Sequence, residues 1–167
     1  MKKRTTTSHK MVIGRAEELA FVKHDIFNMP AKIDTGAYHS AVHASKISLS
    51  KDGKILSFTL LGGHPVCGKF SADLTTDKFR KVVVANSFGD EDLRYEVKLR
   101  VKLGSKILTT PFTLADRTKK IYPILVGRKL LNGRFVVDSS QTNINRKELK
   151  KNYSIIFPDD EEYNKDM

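Results

Sequence analysis

The sequence predicts an all-β fold in a single domain, and three observations carry this. Tyr95, Val97, Leu99, Val101 and Leu103 alternate with Glu96, Lys98, Arg100 and Lys102, a period-two pattern with one buried and one wet face. The runs Ile55-Leu56-Ser57-Phe58-Thr59-Leu60-Leu61 and Lys81-Val82-Val83-Val84-Ala85 are rich in residues that suit a pleated surface. Turn residues punctuate these runs, whereas helical periodicity is sparse.

Taken in order, Met11-Val12-Ile13-Gly14-Arg15 reads as a short strand, and residues 19–26 hold β-like segments around Phe21 and Val22. Ala31-Lys32-Ile33 reads as a short strand end, and residues 39–43, just after a glycine turn, as strand. The 55–61 strand stops at Gly62-Gly63. Gly104-Ser105 turns the alternating strand back into Ile107-Leu108, and the return carries Phe112 and Leu114. A short helix is expected over 127–131. A second is expected within 142–153, with Asn143 as its N-cap and Lys150-Lys151 near its C-terminus.

At 167 residues and 40% hydrophobic content, the chain suits one domain with a respectable core. Residues 1–10 are expected to be a disordered tail, 11–157 the folded domain, and 158–167 an acidic tail. No apolar run reaches membrane-spanning length. The basic start lacks the apolar stretch of an export signal. The single cysteine, Cys67, forms no internal disulfide, which suits a cytoplasmic location. The net charge of +11 is spread over separated Lys and Arg runs. Aromatics are few, and no RRM, OB or helix-turn-helix signature accompanies them. Solvated surface is the expected reading, and nucleic acid is not the expected partner.

The chemistry is concentrated in Asp34-Thr35-Gly36-Ala37, which follows Ala31-Lys32-Ile33. Asp supplies a carboxyl able to act as acid or base. The Thr hydroxyl can fix a loop through a backbone hydrogen bond. Gly lets the chain turn and approach another chain closely. A second segment, Ile124-Leu125-Val126-Gly127-Arg128-Lys129-Leu130-Leu131, has the form of a buried strand entering a helix.

With these two segments the chain resembles a single-domain retropepsin-like aspartic peptidase. More narrowly, it resembles a bacterial group labelled ATP-dependent zinc proteases and associated with ATP-grasp ligases of the RimK type. The narrower likeness rests on four motifs. They are Asp34-Thr35-Gly36-Ala37 with Ser40, Ala41, His43 and Ala44; Thr113-Leu114 with Asp116-Arg117; Pro123 through Arg128; and Phe135-Val136-Val137-Asp138. The resemblance implies a retropepsin-like (acid protease) β-barrel with one or two short helices. It implies a catalytic role for Asp34, Thr35 and Gly36. Substrate contacts are expected from Ala37, Ile124 and Val126, and from a flap tip at Asn86, Ser87, Phe88 and Gly89. Gly127 and Arg128 would support the site.

Aspartic peptidases use two carboxyl groups sharing one proton, because carboxylates about 3 Å apart do not both ionise cheaply. This chain has one Asp-Thr-Gly, so the pair implies a homodimer with one Asp34 from each subunit. Thr35 would lock the two loops together. The flap is expected at residues 83–95, with the turn Gly62-Gly63-His64-Pro65 as the second candidate. No acid follows Asp-Thr-Gly-Ala closely, so Arg128 is expected to pair with Asp116 or Asp138. The resemblance further implies an acidic, glutamate-rich substrate and an ATP-grasp ligase as partner. No Walker or Gly-x-Gly-x-x-Gly pattern is present, so ATP would bind a different protein.

The family label raises zinc. His39 and His43 have i,i+4 spacing, but on a strand such residues lie roughly 13 Å apart. His64-x-x-Cys67 has no matching half-site. Structural histidines are the expected reading, with no metal and no cofactor. The competing functions are a metallopeptidase and a non-catalytic binding module for an acidic partner.

Overall fold

The computed structural model describes residues 9–86 and 88–153. The expected acidic tail, Ser87 and most of the N-terminal tail lie outside them. The strands are β1 Met11–Ile13, β2 Ala16–Phe21, β3 Ile26–Ile33, β4 Ser40–Leu49, β5 Leu56–Leu60, β6 Ala72–Thr76, β7 Phe79–Ala85, β8 Glu91–Leu103, β9 Lys106–Ala115, β10 Ile124–Val126 and β11 Phe135–Val137. The helices are α1 Arg128–Leu131 and α2 Arg146–Tyr153.

Six strands close into a barrel in the order β3, β2, β8, β9, β4, β10. The short β10 completes the circle, parallel to β3 on one side and antiparallel to β4 on the other. Its residues Ile124 and Val126 are buried, as suits a strand with a neighbour on both edges. The interior is filled by Leu19, Phe21, Leu103, Phe112 and Leu114, with the rings of Phe21 and Phe112 tilted at 6.3 Å. This is the retropepsin-like all-β barrel in one domain.

Among the described residues, five further strands lie outside the barrel. β5 and β6 continue the sheet from β4. β7 pairs with β8 from Phe79 opposite Val97 to Ala85 opposite Glu91, forming a long hairpin. β1 and β11 make a separate parallel ribbon.

The structure corrects several local expectations. The β-like stretch 19–26 is broken by a 3-10 turn over Val22–His24, after which Asp25 takes a left-handed conformation (φ 52°). The second helix starts at Arg146, later than expected. Its cap is Asn145, whose Oδ1 accepts the Glu148 N–H at 3.1 Å. Asn143 instead donates to the buried Glu17 carboxylate at 2.7 and 2.8 Å. In β8, Lys98, Arg100 and Lys102 face water as the alternation requires, but Glu96 on the same face is buried. The end of the face that holds Glu96 is occupied by Lys129 of α1, whose ammonium bonds its carboxylate.

Candidate active site

Asp34 sits where β3 leaves the barrel, beside the closing strand. Its N–H donates to the Val126 carbonyl at 2.9 Å, continuing the β3–β10 pairing by one bond. Its Oδ1 then accepts the amides of Gly36 (3.0 Å) and Ala37 (3.2 Å). This is an Asx-type turn, in which the side chain replaces a backbone acceptor. Asp34 and Ala37 are half-buried; Thr35 and Gly36 are exposed.

The loop is held from below by the segment after β10. The amides of Arg128 and Lys129 donate to the carbonyls of Ala37 (2.8 Å) and Tyr38 (3.0 Å). The Arg128 guanidinium donates to the carbonyls of Thr35 (3.1 Å) and Gly36 (2.8 Å). The expected partners, Asp116 and Asp138, are engaged elsewhere: Asp116 accepts from Thr118, and Asp138 from Ser140 and Gln141. With no acid in the loop, the arginine fork takes main-chain oxygens instead.

Gly127 is required for this contact. A Cβ there would stand 2.5 Å from the His39 carbonyl oxygen and 2.9 Å from that of Ala37. Its N–H donates to Ser40 Oγ at 3.0 Å, and the Ser40 carbonyl accepts from Thr113 Oγ1 at 3.1 Å. The motif residues Ser40, Thr113 and Gly127 therefore form one buried network beneath Asp34. Ile124 and Val126, expected to meet substrate, are fully buried; they pack the core under the loop.

A second buried network lies around His43 and His64, whose rings stand 5.2 Å apart. His43 Nδ1 accepts the Arg117 N–H at 2.9 Å, so its proton is on Nε2, which donates to the Gly62 carbonyl at 2.8 Å. His64 Nδ1 accepts from Val66 N–H, and Nε2 donates to the carbonyls of Arg117 and Lys120. Burial first, and then the neighbouring His43, push His64 down to about 4. These nitrogens are committed to main chain. Cys67 is buried, which pushes its thiol up to about 12. His39 Nδ1 lies 3.3 Å from Glu96 Oε2. The donor set therefore does not fit zinc. The buried His64 imidazole ties the turn 62–65 to the carbonyls of Arg117 and Lys120.

The other flap candidate is the β7–β8 hairpin. Its tip is a built turn: Asn86 Oδ1 accepts the amides of Phe88 and Asp90, and Gly89 has φ 83°. Val83 and Leu93 face each other across the strands and are both exposed, as is Phe88 at the tip.

Sequence reasoning missed Glu96, Lys129 and Tyr38. Glu96 accepts from Arg80 Nε at 2.6 Å and Lys129 Nζ at 2.9 Å. Burial works to raise its pKa, but the bonds and charges of Lys129 and Arg80 outweigh this and hold it low. Lys129 Nζ also lies 5.2 Å from the Tyr38 ring centre. Nothing in the strand's alternation distinguishes Glu96 from the solvated Lys98.

No described helix is long and apolar enough to cross a membrane. Comparison with known proteins places the chain. It is 28% identical over 142 residues to a protein of Shewanella pealeana named "Probable alpha-L-glutamate ligase", covering 81% of this chain and 30% of that protein. A protein of the same name from Desulfotalea psychrophila is 27% identical over 133 residues, covering 77% and 28%. The chain thus spans less than a third of these relatives. A crystal structure of Lpg0085 from Legionella pneumophila, a protein of unknown function, superposes with a TM-score of 0.62 at 27% identity, covering 79% of this chain and 95% of that one. The RimB-like family, described as "Retropepsin-like aspartic endopeptidase RimB", matches residues 12–148. That span takes in the barrel, the Asp34 loop and the strand that closes beneath it, and the chain belongs to the RimB-like family.

Proposed function

We propose that this chain is an aspartic endopeptidase-like hydrolase that works as a homodimer, with Asp34 of each subunit forming the catalytic pair. The observation that carries this is the Asp34 loop itself. Both amide bonds to the carboxyl end on Oδ1, which leaves Oδ2 for a water or a shared proton. One Asp accepts a proton from the attacking water while its partner protonates the scissile carbonyl oxygen. The exposed Thr35 and Gly36 would meet their equivalents across the twofold axis, where Thr35 can bond the facing main chain. Arg128 and Gly127 hold the loop at fixed height, and a fixed loop is what a pair shared between two chains requires.

The β7–β8 hairpin acts as the flap, with Phe88, Val83 and Leu93 offering apolar contact to a bound chain. Ala37 borders the cleft. Its substrates are peptides or amide-linked acidic extensions rich in glutamate. Support comes from the relatives named as glutamate ligases, in which the matched segment is one part of a longer chain. The exposed cations Lys98, Arg100 and Lys102 suit an anionic chain. A ligase of the RimK type, located with it in the cytoplasm, is the partner that would make such extensions.

The test is hydrolysis of oligoglutamate peptides by wild type and Asp34→Asn, each with and without EDTA. Cleavage that survives EDTA and disappears in Asp34→Asn supports the reading. Cleavage that persists in Asp34→Asn overturns it.

A further inference from the structure

Among the described residues, Glu17 and Glu96 are the buried carboxylates, and the three partners of Glu96 come from three separate elements. Arg80 belongs to β7 of the hairpin, Lys129 to α1, and His39 to the stretch that follows the Asp34 turn. Its own side chain is 4% exposed, Lys129 is 13% and His39 is 19% exposed, whereas Arg80 is 63% exposed. The tight side of the cluster thus faces the Asp34 loop, and its open side faces the hairpin.

Both inner partners act directly on the loop. The Lys129 N–H holds the Tyr38 carbonyl, and its ammonium lies over the Tyr38 ring. Lys129 also follows Arg128, which holds the carbonyls of Thr35 and Gly36. The His39 ring packs edge-on against Tyr38 at 5.0 Å. On the other side, Arg80 stands opposite Glu96 in the hairpin ladder. A buried carboxylate held by two cationic donors fixes geometry, because losing either leaves its desolvated charge less well compensated.

We infer that Glu96 is a positioning residue that couples the β7–β8 hairpin to the Asp34 loop, so that the two move as one unit. The inference rests on reading Asp34 as catalytic and the hairpin as its flap. The coupling itself is a property of the fold and can be measured without turnover.

The experiment is residue-resolved hydrogen exchange on the full chain, comparing wild type, Glu96→Gln and Arg80→Met. Glu96→Gln keeps the shape and removes the charge. In this variant, amides of the tip (Phe88, Asp90) and of the loop (Gly36, Ala37) are expected to exchange about tenfold faster, while those of the β4–β5 pairing hold their rates. Should Glu96→Gln not fold, Arg80→Met, altered at the exposed edge, carries the test. It should quicken the loop amides as well as the tip. Acceleration confined to one of the two segments, or spread evenly over the whole barrel, overturns the coupling. Where wild type cleaves oligoglutamate, Glu96→Gln should also raise KM about tenfold with a smaller change in kcat. A wild type that cleaves nothing would count against the peptidase reading and leave the exchange result to decide the coupling.

Discussion

Arg128 holds Gly36 by its main chain: the guanidinium donates to the Gly36 carbonyl oxygen at 2.8 Å, and to that of Thr35 at 3.1 Å. A side chain that grips carbonyls gives the loop its shape without drawing a second carboxylate into it, so the acid at the site is left to Asp34. Charged donors to neutral acceptors are each worth about 1.5–3 kcal/mol where solvent is excluded, and less at an exposed site. Arg128→Ala should therefore lower stability by about 1–2 kcal/mol. On the proposed peptidase reading it should reduce hydrolysis far more, by about 100-fold, because a misplaced catalytic group is costly. Arg128→Lys, a point charge in place of a fork, should fall between. Urea unfolding and kcat/KM measured on the same samples check both numbers.

Gly127→Ala places a methyl group 2.5 Å from the His39 carbonyl oxygen. The φ of −101° is open to any residue, so the penalty is contact alone. Either β10 withdraws from the loop or the loop lifts. Overpacking of this kind costs about 1–3 kcal/mol. Thermal unfolding should show a clear drop in Tm, and an unchanged Tm would mean that the loop is softer than its hydrogen bonds imply.

His64 ties stability to acid. Its folded pKa of about 4 lies below the ordinary 6.5 because burial disfavours the charged ring. The unfolded chain therefore binds more protons, and stability rises with pH across this interval. The contribution is complete above about pH 6.5 and is lost as pH falls toward 4, on the order of 3 kcal/mol in all. Glu96, held low by its cations, adds a further loss as pH falls through and below the carboxylate range. Urea titrations from pH 7 to 4 should show the decline, and His64→Asn should flatten its upper part at the expense of overall stability.

The barrel was most legible in β8, whose side chains alternate from Val97 to Leu103 and whose Gly104-Ser105 turn falls where the alternation ends. The Asp34 loop and the Gly127-Arg128 segment were legible as motifs. What bonds what was not. Arg128 was expected to seek a distant acid, since local sequence carries no sign that carbonyls are in reach. Glu96 read as solvated because α1, far along the chain, covers only one end of that face. Asn143 read as a cap because a polar residue before a helix is ambiguous between two neighbours, and tertiary contact with Glu17 decided it.

Phe88 is 76% exposed at the hairpin tip and contributes nothing visible to the core. Phe88→Ser should leave stability within about 0.5 kcal/mol while raising KM for a peptide substrate several-fold. A loss of stability with unchanged KM would move the flap role elsewhere.

The proposed site needs one Asp34 from each of two subunits. The most direct measurement mixes wild-type and Asp34→Asn subunits, lets them exchange, and follows oligoglutamate hydrolysis against the wild-type fraction. If the pair is shared, a mixed dimer has a single carboxyl and is inactive, so activity falls as the square of that fraction. Activity that falls in direct proportion would mean that each subunit works alone, and would contradict the account.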